Sequence, residues 1–174
     1  MFCLASIIEE LISTLETECV LYKELIPLAE QKSVVIIENN LDGLAKITEN
    51  EQELLDKLTS LENKRERCVY SIKDVLGRLN ETMNLDRIIG FLDKQPVEQG
   101  KLKTVHEELK LVTGRLKDIN MQNKSLIEES LELIEFSMNF IQSTRMSPGG
   151  NNYNKNASFM DASVSRTGMF DAKQ

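Results

Sequence analysis

Tryptophan is missing from this 174-residue chain, which has one histidine, three prolines, three cysteines and eight glycines. Each shortage excludes something. Few turn formers and only 5% aromatics argue against a sheet protein, whose strands need β-branched and aromatic residues punctuated by Gly and Pro. No run approaches the roughly 18 apolar residues of a membrane-spanning helix, so membrane insertion is not expected. The start, Met1-Phe2-Cys3-Leu4 followed by Glu9-Glu10, lacks the basic region of a secretory signal. Cys3, Cys19 and Cys68 are odd in number, far apart and without a CxxC pair. That pattern predicts free thiols in a reducing compartment, the cytoplasm, with Cys19 and Cys68 serving as small buried hydrophobes.

Chemistry is short as well. The sequence has no Gly-rich phosphate loop, no Ser-His-Asp order and no His or Cys cluster at metal-ligand spacing. No catalytic residue, cofactor or metal is therefore expected, and the chain reads as a non-enzyme. His106, in Val105-His106-Glu107-Glu108-Leu109-Lys110, is similar to the His-x-Leu-Lys-Gly motif of histidine phosphotransfer modules. Its leucine and lysine stand one place too far along, and Leu111 replaces the glycine. A net charge of −7 without a basic cluster is poorly suited to neutralising phosphates, so nucleic acid is not an expected partner.

What is present is helix. Leu4, Ile8, Leu11, Leu15, Cys19, Tyr22, Ile26, Ala29, Ser33 and Ile36 recur at threes and fours, predicting a first helix over 2–39. Pro27 lies inside it and is expected to kink it. Val34-Val35-Ile36-Ile37 could pass for a strand, but a lone strand has nothing to pair with. Asn39-Asn40 reads as a cap signal, and a near-heptad seam from Leu44 through Leu58, Cys68 and Ile72 to Leu79 predicts a second helix over 41–80. Asn84 caps a short helix that buries Ile88, Ile89 and Leu92, and Pro96 and Gly100 close that connection. A last helix spans 101–145. The expected fold is all-α: an elongated, coiled-coil-like antiparallel bundle of three long helices with a short connecting helix.

The last helix changes character along its length. Leu102, Val105, Leu109, Val112, Leu116 and Ile119 fall within about 100° of its circumference, an ordinary core stripe. Further on, Leu126, Ile127, Leu131, Leu133, Ile134, Phe136, Met138, Phe140 and Ile141 spread over about 220°. That is more apolar surface than packing within one bundle requires. Leu126, Ile127, Leu131, Ile134, Met138, Phe140 and Ile141 are therefore candidates for contact with another chain. The wheel does not divide those that pack inside from those left over.

The pattern stops at Ser147-Pro148-Gly149-Gly150. Residues 1–145 read as the helical domain, and 146–174 as a disordered tail too polar to offset its own ordering entropy. Tyr153, Phe159, Met160, Met169 and Phe170 are spaced anchors in that polar background. Tyr153 and Phe159 join the candidate contact residues, since isolated bulky side chains suit folding upon a partner.

Three blocks carry a family resemblance. The first is Leu11-Ile12-x2-Leu15-x2-Glu18-x3-Tyr22-x2-Leu25 followed by Lys32. The second runs from Asn40-Leu41-Asp42-x-Leu44-x2-Ile47-Thr48 through Glu51-Gln52-x-Leu54-Leu55 to Leu61-Glu62-x2-Arg65. The third is Asn120-x2-Asn123-x2-Leu126-Ile127-x2-Ser130-Leu131-x2-Ile134, ahead of the tail with Tyr153. In order and spacing they resemble the FlgN family of flagellar type III export chaperones over most of residues 8–160. The resemblance implies a cytoplasmic protein that binds hook-associated (hook–filament junction) proteins through their terminal helices. It would prevent their premature assembly and bring them to the flagellar export apparatus. Two other readings stand beside it: a phosphotransfer module acting through His106, and a structural coiled-coil adaptor. A homodimer that covers the surplus apolar face is also compatible with the pattern.

Overall fold

The computed structural model describes residues 2–93 and 95–145. They form four helices, α1 (Phe2–Ile37), α2 (Leu41–Val75), α3 (Leu85–Phe91) and α4 (Pro96–Arg145), with no strand among the described residues. The class is all-α, and the apolar run Val34–Ile37 is helical. Contacts divide the chain into two compact units, Met1–Ser137 and Met138–Gln174. The expected tail, 146–174, with Tyr153, Phe159, Met160, Met169 and Phe170, lies outside the described residues.

The helix ends are set by backbone chemistry that hydrophobic periodicity does not report. α1 continues past Pro27 to Ile37, and then Asn39 takes a left-handed φ of 53°. There Asn39 N–H donates to the Ile36 carbonyl at 3.1 Å and Asn40 N–H to the Val35 carbonyl at 2.9 Å. This pairing closes the helix, and asparagine tolerates the left-handed conformation better than most residues. Asn40 then caps α2, its Oδ1 accepting from the Gly43 N–H at 2.9 Å. At Gly43 a Cβ would lie 2.8 Å from Asn40 Nδ2 and 3.1 Å from Val35 Cγ1, so a larger residue would make the capping side chain shift.

α2 stops at Val75, short of the Asn80 that the seam predicts. Gly77 adopts φ 66°, with its N–H on the Asp74 carbonyl at 3.0 Å and the Arg78 N–H on the Lys73 carbonyl at 2.9 Å. The glycine stop overrides the apolar rhythm carried on by Leu79. Asn84 caps α3 as expected, accepting from the Arg87 N–H at 3.0 Å. α4 begins at Pro96 rather than near Lys101, so Pro96 opens the helix instead of closing the connection, and Gly100 lies inside it. Proline is favoured at a first helical position, where its missing N–H would have no partner in any case.

The core of the Met1–Ser137 unit gathers Ile8, Leu11, Ile12 and Leu15 of α1, Cys68 and Ile72 of α2, Ile88 of α3, Leu92, and Leu102 and Val105 of α4. Full burial of each large side chain contributes about 1.5–3 kcal/mol. Cys19 and Cys68 are free and buried, and burial pushes both thiols up from their ordinary pKa, keeping them neutral.

Ion pairs and hydrogen bonds report how the helices run. From α1 to α2 the partners are Lys32 with Glu51, Glu18 with Arg65 and Glu10 with Lys64. Lys32, late in α1, meets Glu51, and the earlier Glu10 and Glu18 meet positions 13 and 14 residues further along α2, so this pair is antiparallel. From α1 to α4 the partners are Lys23 with Glu108, Glu30 with Arg115 and Ser33 with Asn123, in the same order along both helices. Those that are exposed add little stability.

Candidate partner-docking surface

Asn123 is the last α4 residue held deep against α1. It is buried, with Nδ2 donating to the Ala29 carbonyl at 2.8 Å and Oδ1 accepting from Ser33 Oγ at 2.5 Å. A buried side-chain amide satisfied on both ends fixes the register of two helices, since a slip would leave polar groups unpaired. The Asn120-x2-Asn123 spacing drew attention in sequence, but the lock itself needed the partner residues Ala29 and Ser33 to become visible.

This register determines where α4 loses its neighbour. α1 ends at Ile37 only a few residues past the Asn123 contact, and α2 turns away at Leu41. Beside that corner lies a cleft of about 120 Å³ lined by Val35, Ile36, Asn39, Asn40, Leu41, Leu44, Ile127, Ser130, Leu131 and Ile134. Its lining is almost wholly apolar. The cleft has room for about one large side chain.

Among the described residues, no apolar side chain of α4 beyond Val105 is fully buried. Leu102 is 0% exposed, whereas Leu131 is 55%, Ile134 50% and Phe136 70% exposed. Of the sequence candidates, Leu126 is half-buried, while Ile127, Leu131 and Ile134 come together in the cleft. Leu133 and Phe136 are exposed outside it. Met138, Phe140 and Ile141 belong to the second compact unit and are exposed there. Tyr153 and Phe159 fall outside the described residues. Contiguous exposed apolar surface of this kind marks interaction sites in soluble proteins.

Sequence reasoning missed the opposite wall, Val35, Ile36, Leu41 and Leu44. A signal existed: four apolar residues, Val34 to Ile37, occupy every side of a helix end directly before a cap. Val34, Ile37 and Leu41 remain exposed, so the corner presents apolar surface outward as well as into the cleft. Electrostatically this end is mainly acidic, with the exposed Lys46 and Lys124 just beyond it in sequence. Glu38, Asp42, Glu128, Glu129, Glu132 and Glu135 are all exposed, and segments 35–44 and 126–137 contain no Lys or Arg.

His106 lies at the other end of the fold. It is partly buried, its Nε2 3.3 Å from Asp86 Oδ1 on α3, in a cleft of about 490 Å³ with mixed lining that includes Ile89, Pro96, Gln99, Lys103 and Lys110. Among the described residues, no three His, Cys, Asp or Glu side chains are placed to hold a metal ion. No helix there is long and apolar enough to cross a membrane.

Comparison with known proteins agrees with the resemblance read from the three sequence blocks. The family model described as FlgN protein matches residues 1–158. YvyG, an uncharacterised protein of Bacillus subtilis (strain 168), is 27% identical over 165 residues, covering 94% of this chain and 96% of that protein. No solved structure matches.

Proposed function

We propose that this chain, which belongs to the FlgN family, is a cytoplasmic chaperone for hook-associated (hook–filament junction) proteins. It holds their terminal helices, prevents premature assembly and delivers them to the flagellar type III export apparatus. The observation that carries the reading is the apolar stripe of α4, which continues past the α1–α2 corner with Leu131, Ile134 and Phe136 half or more exposed. A client helix that polymerises through apolar contacts outside the cell needs a competing apolar helix face inside it. Release without covalent chemistry needs that face to bind reversibly.

The magnitudes suit such a task. Burying each large apolar side chain contributes about 1.5–3 kcal/mol, and ordering a flexible segment costs roughly 2–5 kcal/mol. Over the middle and upper part of these ranges, three or four anchors then leave about 4–8 kcal/mol, which is millimolar to micromolar, exchangeable capture. In this reading Leu126, Ile127, Leu131, Ile134, Met138, Phe140 and Ile141 make the contact, with Tyr153 and Phe159 of the tail adding to it. Its scaffold is the elongated antiparallel bundle of three long helices, and neither catalysis nor a cofactor takes part.

Co-purification with hook-associated proteins tests the proposal, comparing the full chain with Ile134→Asp and Phe140→Asp variants. The full chain retains the client, and each variant loses it while keeping its helical circular dichroism. Folded variants that bind as well as the full chain would overturn the site. Removal of 146–174 weakens capture and leaves helicity unchanged; unaltered capture would favour a plain coiled-coil adaptor.

A further inference from the structure

We infer that the occupant of the cleft between the α1–α2 corner and α4 is a cationic amphipathic helix. One large apolar side chain would sit between Ile36, Leu41 and Leu131, with Lys or Arg about one turn to either side. The inference rests on the reading that this end of α4 takes a client helix, and it specifies that helix's chemistry.

Three observations carry it. The cleft is apolar and sized for one bulky side chain, so the anchor is a single residue rather than a broad sheet of contacts. Its surroundings are mainly acidic: Glu38 and Asp42 at the corner, and Glu128, Glu132 and Glu135 on α4, are exposed, against Lys46 on α2 and Lys124 on α4. The nearest α4 cation, Lys124, reaches only Glu128, at 3.8 Å. On an ideal wheel Glu128, Glu132 and Glu135 lie about 80–140° from Ile127, along one flank of the cleft-facing stripe.

The charge pattern selects among occupants. A second copy would bring one acidic rim against another, which like-charge repulsion disfavours. Anionic lipid headgroups and nucleic-acid phosphates are repelled in the same way. A helix with basic flanks is attracted, and its entry into the apolar cleft removes water from both surfaces. Rim charges act chiefly on encounter rate and on discrimination between partners. The glutamates therefore choose the client helix and the cleft retains it.

Two synthetic helical peptides of about 18 residues with the same leucine spacing, one flanked by Lys and one by Glu, test the inference by fluorescence anisotropy. They are titrated with the full chain, with Glu128→Gln/Glu132→Gln/Glu135→Gln and with Leu131→Asp, at ~50 mM and ~500 mM salt. The full chain binds the Lys-flanked peptide about tenfold tighter at low salt. The preference shrinks at high salt and in the triple variant, and Leu131→Asp loses both peptides. Equal affinity for the two peptides, or indifference to Leu131→Asp, overturns the inference. So does a particle of twice the chain mass that Leu131→Asp splits, since a second copy would then cover the cleft. The arms also separate the two proposals. Lys-flank preference with no capture of any hook-associated protein sinks only the proposed function. Leu131-dependent capture of a hook-associated protein without that preference sinks only this inference.

Discussion

Leu102 and Leu131 sit on one helix, on its core-facing stripe, and share one side chain, yet one is sealed and the other is more than half in water. The difference is what stands opposite. Leu102 belongs to one buried cluster with Ile8, Leu11, Ile72 and Ile88, drawn from all three other helices. Leu131 lines an open cleft with the corner where α1 has ended and α2 has just begun. Apolarity alone therefore does not make core. A stripe that outlasts its neighbours becomes a surface, and here the excess lies beside exposed carboxylates.

The sharpest way to break this comparison is to truncate a side chain at the closed end. Leu102→Ala leaves a cavity among Ile8, Ile72 and Ile88 and costs about 2–5 kcal/mol in urea denaturation. A loss below about 1 kcal/mol would show that this end is not the core. Next comes the lock between the two ends. Asn123→Ala removes the bonds to Ser33 and to the Ala29 carbonyl, leaving the Ser33 hydroxyl only its bond to Ala29 at 3.3 Å, and lowers stability by about 1–3 kcal/mol. It also raises hydrogen exchange in α4 around residue 123.

Smaller effects sharpen the picture. Gly77→Ala forces a Cβ onto φ 66° with no neighbour in the way, a purely conformational cost of about 1 kcal/mol. Glu18 tests the α1–α2 interface by pH. Its nearly buried carboxyl is paired with Arg65 Nε at 3.1 Å. Burial raises its pKa above the ordinary value, and the nearby Arg65 charge and hydrogen bond only partly oppose this. The folded state therefore holds the proton more tightly than the unfolded state. Glu18's contribution is fullest below the ordinary carboxylate pKa and is lost as pH rises through the raised value. Glu18→Gln, which keeps an acceptor for Arg65, should remove that decline, so its Tm relative to the parent rises from acidic to neutral pH. A Tm difference that falls over the same range would contradict the burial argument. The smallest effect belongs to the open end: Ile134→Asp changes stability by no more than about 0.5 kcal/mol, although it abolishes client capture.

Much of this was legible without coordinates. The threes-and-fours rhythm of Leu4 to Ile36, the seam from Leu44 to Ile72 and the cap at Asn84 are local signals, and the helices follow them. The widening of the stripe after Leu126 was equally plain. The left-handed turns at Asn39 and Gly77 were not, because they depend on which carbonyls the next two N–H groups can reach. The opposite wall of the cleft, Val35, Ile36, Leu41 and Leu44, was hidden for a different reason: these residues obey the helical rhythm and look like any other core positions.

The chain by itself thus determined its helices and the surplus of apolar side chains near the end of α4, since each follows from composition and short-range periodicity. Tertiary structure alone decided that the surplus faces a cleft. Whether a leucine is covered depends on the lengths and register of α1, α2 and α4. That register is held by contacts such as Asn123 with Ala29, between residues 94 positions apart, which no local pattern encodes.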